Sequence, residues 1–197
     1  MSVDIDICIP NLFFNIDAFR YKFLFEIDKP IWECLDSISS YLKNNEIIIG
    51  KNCKINPNSC IEGPCIIGDN CEIRFNAYIR GQCIVGDNCI IGHSAELVRC
   101  IVMNNTKLSH MNYVGDSVIG NNVNFGAGSI CANTRLDRSP ISIVHNGKKY
   151  ETGRKKFGAI IGDNSSVGCN AVLNPGTVLF PNTKLYPCSV SSGVILR

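Results

Sequence analysis

A chain of 197 residues, 45% hydrophobic and with a formal net charge of +2, suits one domain with an appendage, and excludes a disordered tail or a general nucleic-acid binder. No apolar run approaches the ~20 residues of a membrane span, and the start "MSVDIDICIPNLFF" carries two acids and no basic region, so the chain reads as cytoplasmic without a signal peptide. Twelve cysteines would frame disulfides in a secreted protein; in a reducing compartment they need another explanation.

Residues 1–48 carry no short repeat. Within "DKPIWECLDSISSYLKNNE", Pro30 suits a first helical turn, and Ile31, Leu35, Ile38 and Leu42 share one helical face. The segment is expected to be a short helical cap on the open end of a repeat region that begins at Ile49. From Ile49 an aliphatic residue returns every six positions: Ile49, Ile55, Ile61, Ile67, Ile73, Ile79, Val85, Ile91, Leu97 and Met103. Four places after most of them sits a small residue, such as Cys53, Ser59, Cys65, Cys71, Ala77, Cys83, Cys89 and Ala95. Six is an awkward period for an α-helix, and the β-branched content favours very short strands. A short strand and a tight turn, repeated, make a triangular solenoid. The aliphatic fills the prism, the small residue fits near a corner, and Gly or Asn supplies left-handed turns. Five of the twelve cysteines take the small inward place, where a reduced thiol behaves as a compact hydrophobe, and their spacings fit no metal-binding pattern.

Near His110 the period slips, which is expected to turn that side chain outward, and it resumes at Tyr113, Ile119 and Phe125. Residues 134–159 then leave the repeat. Their "ISIVHNGKKYETG" places Asn146-Gly147 between alternating segments, a two-residue hairpin signal. This excursion holds Arg135, Arg138, Lys148, Lys149, Arg154, Lys155 and Lys156 against only Asp137 and Glu151, so it is either a solvated face or a phosphate site. The repeat returns at Ile161, Val167, Leu173, Leu179 and Leu185. About eighteen hexapeptides make roughly six coils over residues 49–197.

The pattern resembles the left-handed parallel β-helix of the hexapeptide-repeat acyltransferases. The left hand comes from that resemblance, because ordinary crossovers are right-handed. The segments "HMNYVGDSVIGNNVNFGAGSICAN" and "GRKKFGAIIGDN" are most similar to the acetyltransferase domain of bifunctional N-acetylglucosamine-1-phosphate uridyltransferases and of archaeal-type sugar-1-phosphate nucleotidylyltransferase/acetyltransferases. The resemblance implies an acetyl-CoA-dependent N-acetyltransferase acting on an amino-sugar 1-phosphate, glucosamine 1-phosphate first, in UDP-sugar precursor synthesis. It implies His110 as the base on the amine. Arg80, Tyr113, Asn124 and Lys156 would hold the sugar phosphate, and Ala127, Asn133, Thr134 and Cys169 would line the acetyl-CoA channel. It also implies a homotrimer with sites between neighbouring prisms and no metal, nucleic acid or membrane partner. Three departures stand out. Val98 occupies a family lysine position, with Arg99 beside it. Cys169 replaces a serine. No Gly-rich nucleotidyltransferase loop is present, so nucleotidyl transfer is expected from a separate protein.

Two other readings share the fold. A metal hydratase like the γ-class carbonic anhydrases needs three imidazoles converging on zinc. This chain has only His93 at a turn, His110, and His145 beside the hairpin turn and expected to be exposed. A non-catalytic assembly or regulatory subunit would keep the solenoid without its chemistry, and Val98 favours it.

Overall fold

Strands of two to four residues alternate with tight turns from Ile47 to Ile195 and stack into three parallel sheets. The computed structural model describes residues 9–26, 29–42 and 45–196; residues 1–8, with the acidic start at Asp4 and Asp6, lie outside them. Sheet A has eight strands, from Ile47–Ile49 to Val194–Ile195. Sheet B has seven, from Lys54–Ile55 to Lys184–Leu185, and sheet C has seven, from Cys60–Glu62 to Val190–Ser191. The chain visits A, B and C in turn, so each face of a triangular prism is one sheet. The expected parallel β-helix is present, with more than seven coils rather than six. The extra coil was missed because Leu108, Cys131, Ser191 and Ile195 fall outside the six-residue aliphatic count.

The core of the prism is a set of stacked columns. Ile67, Val85, Val102, Ile119, Ile161 and Leu179 point in from sheet A, and Ile73, Ile91, Leu108, Phe125 and Val167 from sheet B. Sheet C contributes Ile79, Leu97, Val114, Cys131 and Leu173. Burying each such side chain is worth ~1.5–3 kcal/mol.

These columns relocate the slip. Val102 lies in register with Val85, and Val114 with Leu97, so these coils are 17 residues long rather than 18. The missing residue falls at the corner from sheet C to sheet A, once around Val98–Cys100 and again around Gly115–Ser117. His110 is in step, paired with His93 one coil below. The sequence pattern misplaced the break because Met103 is apolar and stands six residues after Leu97. Met103 faces outward instead, in the cluster beneath the N-terminal segment. Tyr113, likewise, is not an inward residue; Val114 is.

Each A-to-B corner places an asparagine at positive φ: Asn52, Asn70, Asn88, Asn105, Asn122, Asn164 and Asn182. Most side chains lose ~1–2 kcal/mol in that conformation, and Asn tolerates it best after Gly. Beside this column the thiols of Cys53, Cys71 and Cys89 donate to the carbonyls of Gly68, Gly86 and Met103 one coil on, each at 3.0 Å. Thr106 does the same to Gly120 at 2.8 Å, so thiol and hydroxyl fill one structural role. Burial pushes the Cys65 and Cys131 thiols up to about 12, which makes them poor nucleophiles.

Sheet A is apolar on both faces, so its outside must also be covered. Helix α1 (Cys34–Tyr41) and the short 3₁₀ turns before it do this. Phe13, Phe19, Leu24, Trp32, Leu35 and Ile38 pack on Ile66, Ile84, Ile101 and Val118. Ile31, Leu35, Ile38 and Leu42 are buried, as their shared face predicts. Among the described residues the segment therefore lies along a flank and does not cap an end: Ile47, Ile48, Ile49 and Ile55 of the first coil stay exposed.

The excursion covers the rest of that flank. Its strands Ser142–His145 and Lys148–Glu151 form the expected hairpin, with Asn146 and Gly147 at φ 50° and 76°. Ile143 and Tyr150 join the outer cluster. His145 is buried, contrary to expectation, and its Nε2 has no partner. Strand alternation explains the burial, since His145 shares a face with Ile143.

Candidate active site

The corner from sheet B to sheet C forms a ridge, and the strand Lys107–His110 ends on it. Asn112, 2% exposed, fastens the turn: its amide donates to the Gly126 carbonyl at 2.7 Å and to Ser129 Oγ at 3.0 Å. Its oxygen accepts the His110 N–H at 3.1 Å. The backbone of His110 is thus fixed while its ring is exposed and unbonded among the described residues. His93, one coil below, is tied down. Its Nδ1 lies 3.2 Å from the Phe75 carbonyl, its Nε2 3.3 Å from Ser94 Oγ, and its ring stacks on Phe75.

Above His110 the ridge continues through Ala127 and Cys169. Gly128 N–H donates to the His110 carbonyl at 3.0 Å, and Asn170 N–H to the Ala127 carbonyl at 2.8 Å. Three consecutive coils therefore stack His110, Ala127 and the exposed Cys169 in one column.

The other polar cluster spans sheet C and its corner with sheet A. Asp116, whose side chain is 4% exposed, accepts two bonds from Arg99, Nε at 2.6 Å and Nη2 at 2.8 Å. The Asn133 amide donates to Asp116 at 2.6 Å and to the Tyr113 hydroxyl at 3.1 Å, and Thr134 Oγ1 donates to Asn133 Oδ1 at 3.2 Å. Burial first, then the Asp116 and Glu96 carboxylates, raise the Tyr113 phenol above its ordinary value, so it remains an O–H donor. Arg80 pairs with Glu96 at 2.7 Å and lies over the Tyr78 ring. Lys156 is exposed, and the residues after it anchor the excursion: Phe157 N–H donates to the Asn133 carbonyl and Gly158 N–H to that of Asp116.

One chain thus gathers Arg80, Tyr113, Asn133, Thr134 and Lys156 on and beside sheet C, and His110, Ala127 and Cys169 on the adjoining ridge. Asn124 is apart from both, exposed on sheet B in register with Lys107 and Ser166. Val98 is 3% exposed and presents nothing to solvent. Most excursion cations are engaged locally: Arg135 with Asp137, Lys149 with Glu151, Lys148 over Tyr150, and Arg154 with Asp36 at 2.6 Å. Lys155 and Lys156 have no partner among the described residues. His145 lies in the hairpin, away from the ridge, and no three His, Cys, Asp or Glu side chains group to hold a metal among the described residues. No described helix is long and apolar enough to cross a membrane. Sequence reading missed the Arg99–Asp116 pair. Its signal is a basic and an acidic residue 17 positions apart, at the two short corners.

A three-sided parallel β-helix with its polar chemistry loaded on two of three corners defines a hexapeptide-repeat protein. More narrowly, residues 61–195 match the family described as the GMPPB C-terminal domain, and the chain belongs to it. It is 40% identical over 100 residues to the bifunctional sugar-1-phosphate nucleotidylyltransferase/acetyltransferase of Sulfurisphaera tokodaii, covering 51% of this chain and 25% of that protein. It is 46% identical over 86 residues to the bifunctional protein GlmU of Methanococcus vannielii, covering 44% of this chain and 20% of that protein. The aligned region thus spans a quarter or less of these relatives. A hexapeptide transferase family protein from Anaplasma phagocytophilum overlays with a TM-score of 0.44 at 19% identity, over 77% of this chain and 78% of that one.

Proposed function

We propose that this protein is an acetyl-CoA-dependent N-acetyltransferase whose acceptor is an amino-sugar 1-phosphate, glucosamine 1-phosphate in particular, working as a homotrimer in sugar-nucleotide precursor synthesis. The observation that carries the reading is the ridge column. A backbone-fixed, solvent-facing imidazole sits directly below Ala127 and Cys169 on the ridge, and the Tyr113–Asn133 pair belongs to the sheet that starts at this ridge. The relatives' names, which join sugar-1-phosphate and acetyltransferase, support it.

In this reading His110 takes a proton from the acceptor's ammonium, and the freed amine attacks the thioester carbonyl of acetyl-CoA. The carbon–nitrogen bond forms, the carbon–sulfur bond breaks, and coenzyme A leaves as the thiol once reprotonated. No acyl-enzyme is needed, because holding both reactants together is itself a large effect. The ridge is open in one chain, so the second wall of the site comes from a neighbouring prism, which is why we assign a trimer.

One observation favours a non-catalytic assembly role: buried Val98 provides no cation where the resemblance expects lysine. A single experiment separates the two readings. Purified protein is given acetyl-CoA with glucosamine 1-phosphate or galactosamine 1-phosphate, and N-acetylated product is measured by mass spectrometry alongside mass by light scattering. Turnover in a trimer, fastest with glucosamine 1-phosphate, is expected; a folded protein that acetylates neither acceptor refutes the enzyme.

A further inference from the structure

The two short corners make something the regular coils lack. At each of them the chain loses a residue, and the turn residue, Arg99 or Asp116, is forced to φ 46°. Asp tolerates this region much as Asn does at the neighbouring corner, but Arg does not favour it. What they gain is stacking: Asp116 lands one coil from Arg99, buried, and grips it through Nε and Nη2. Arg99 Nη1 is left without a hydrogen bond among the described residues. The guanidinium is one-third exposed and borders an open recess of about 440 Å³ that also touches Asp116, Arg154, Lys155 and Lys156. Arg154 is held by Asp36 and Arg99 by Asp116, so the unpaired charge in that recess belongs to Lys155 and Lys156, opposed by Glu33.

We infer that Arg99, pre-set by Asp116, forms with Lys155 and Lys156 the seat for the acceptor's phosphate monoester. The chemistry matches: a planar donor fork with a free edge, held rigid by a buried carboxylate, next to two exposed ammonium groups without a partner among the described residues, suits a dianionic phosphate better than a carboxylate or a neutral sugar. Asp116 is the positioning residue. Through the single Asn133 amide it also links the seat to the Tyr113 hydroxyl, so phosphate and sugar ends are fixed by one network. The shortened coils place a cation at Arg99 although Val98 beside it is buried and apolar.

This inference rests on the acetyltransferase reading, and its test keeps the two separable. Arg99→Gln retains a donor for Asp116 while removing the charge, and is compared with wild type on glucosamine 1-phosphate and on glucosamine, with acetyl-CoA saturating. The ratio of the two kcat/KM values is expected to fall about tenfold or more, the loss of a charge-assisted hydrogen bond, with Arg99→Lys in between. A folded Arg99→Gln that keeps the wild-type ratio overturns the inference, as does one whose only defect is a raised KM for acetyl-CoA, whose phosphates would then be the anion read here. Should Arg99→Gln fail to fold, Lys155→Ala, an exposed and unpaired position, must lower the ratio; an unchanged ratio overturns it equally. If wild type transfers no acetyl group, the enzyme reading falls, and calorimetric binding of glucosamine 1-phosphate against glucosamine still decides the seat. Arg99→Gln must then weaken only the phosphate ester.

Discussion

Two kinds of corner share this prism. At the corner from sheet A to sheet B every coil repeats the same solution: asparagine in the left-handed turn, and on most coils a small thiol or hydroxyl donor tucked beneath. At the other two corners the turn residue changes from coil to coil, through Asn76, Ser94, Met111, Gly128, Asn170 and Cys188 on one and Gln82, Arg99 and Asp116 on the other. The constant corner holds no exposed side chain that we assign to chemistry. The variable corners carry His110, Cys169, Arg99 and, where the excursion rejoins, Lys156. Regularity serves stacking, and departure from it shortens coils and buries the Asp116 carboxylate against Arg99.

Substitutions sharpen that contrast. The largest effect is expected on the variable ridge. His110→Ala should lower kcat by ~10²–10⁴-fold with an unchanged melting temperature, because the ring bonds to nothing that the fold uses. Steady-state kinetics beside a melting curve checks this, and wild-type turnover would make the histidine structural. Next comes Arg99→Ala, which strands the Asp116 carboxylate and should cost about 3 kcal/mol, the low end for a broken buried pair, since the guanidinium is partly exposed. Urea unfolding measures it. A loss under about 1 kcal/mol would reduce the pair to an ordinary surface contact.

Smaller effects belong to the constant corner. Asn105 makes no side-chain hydrogen bond among the described residues, so Asn105→Ala reads the backbone alone and should cost ~1 kcal/mol, while Asn105→Gly should be close to neutral. Equal losses for Ala and Gly would show that the left-handed turn is not what selects asparagine. Smallest is Cys71→Ala, expected to cost about 1 kcal/mol or less and to leave turnover near normal. Lost activity at an unchanged melting temperature would reveal a chemical thiol.

The constant corner was legible because its rule repeats: the six-residue period and the Asn and Cys columns specify prism, turns and core without any tertiary knowledge. The variable corners were not, for three physical reasons. Met103 mimics the inward period while serving the outer cluster, which hid both 17-residue coils and moved the break to His110. The amphipathic pattern of Ile31 to Leu42 shows that a face is buried but not against what, and the apolar outside of sheet A, not the open end, receives it. Arg154 reads as a free cation until Asp36, from a segment far away in sequence, is seen to hold it. Of the candidate site, the outward His110 and its neighbour Tyr113 were visible in one motif. The stacking of Cys169 above Ala127 was not, because 42 residues separate these partner coils across the excursion, and that of Ala127 above His110 was hidden by the 17-residue coil between them.

The most direct test of the central claim is acetyl transfer by the wild-type protein to glucosamine 1-phosphate and to glucosamine, with product quantified at several acceptor concentrations. A free imidazole on the ridge and an anion seat beside sheet C predict N-acetylation of both, with kcat/KM higher for the phosphate ester by about tenfold or more. Equal kcat/KM for the two acceptors, or no transfer to either, would contradict the account.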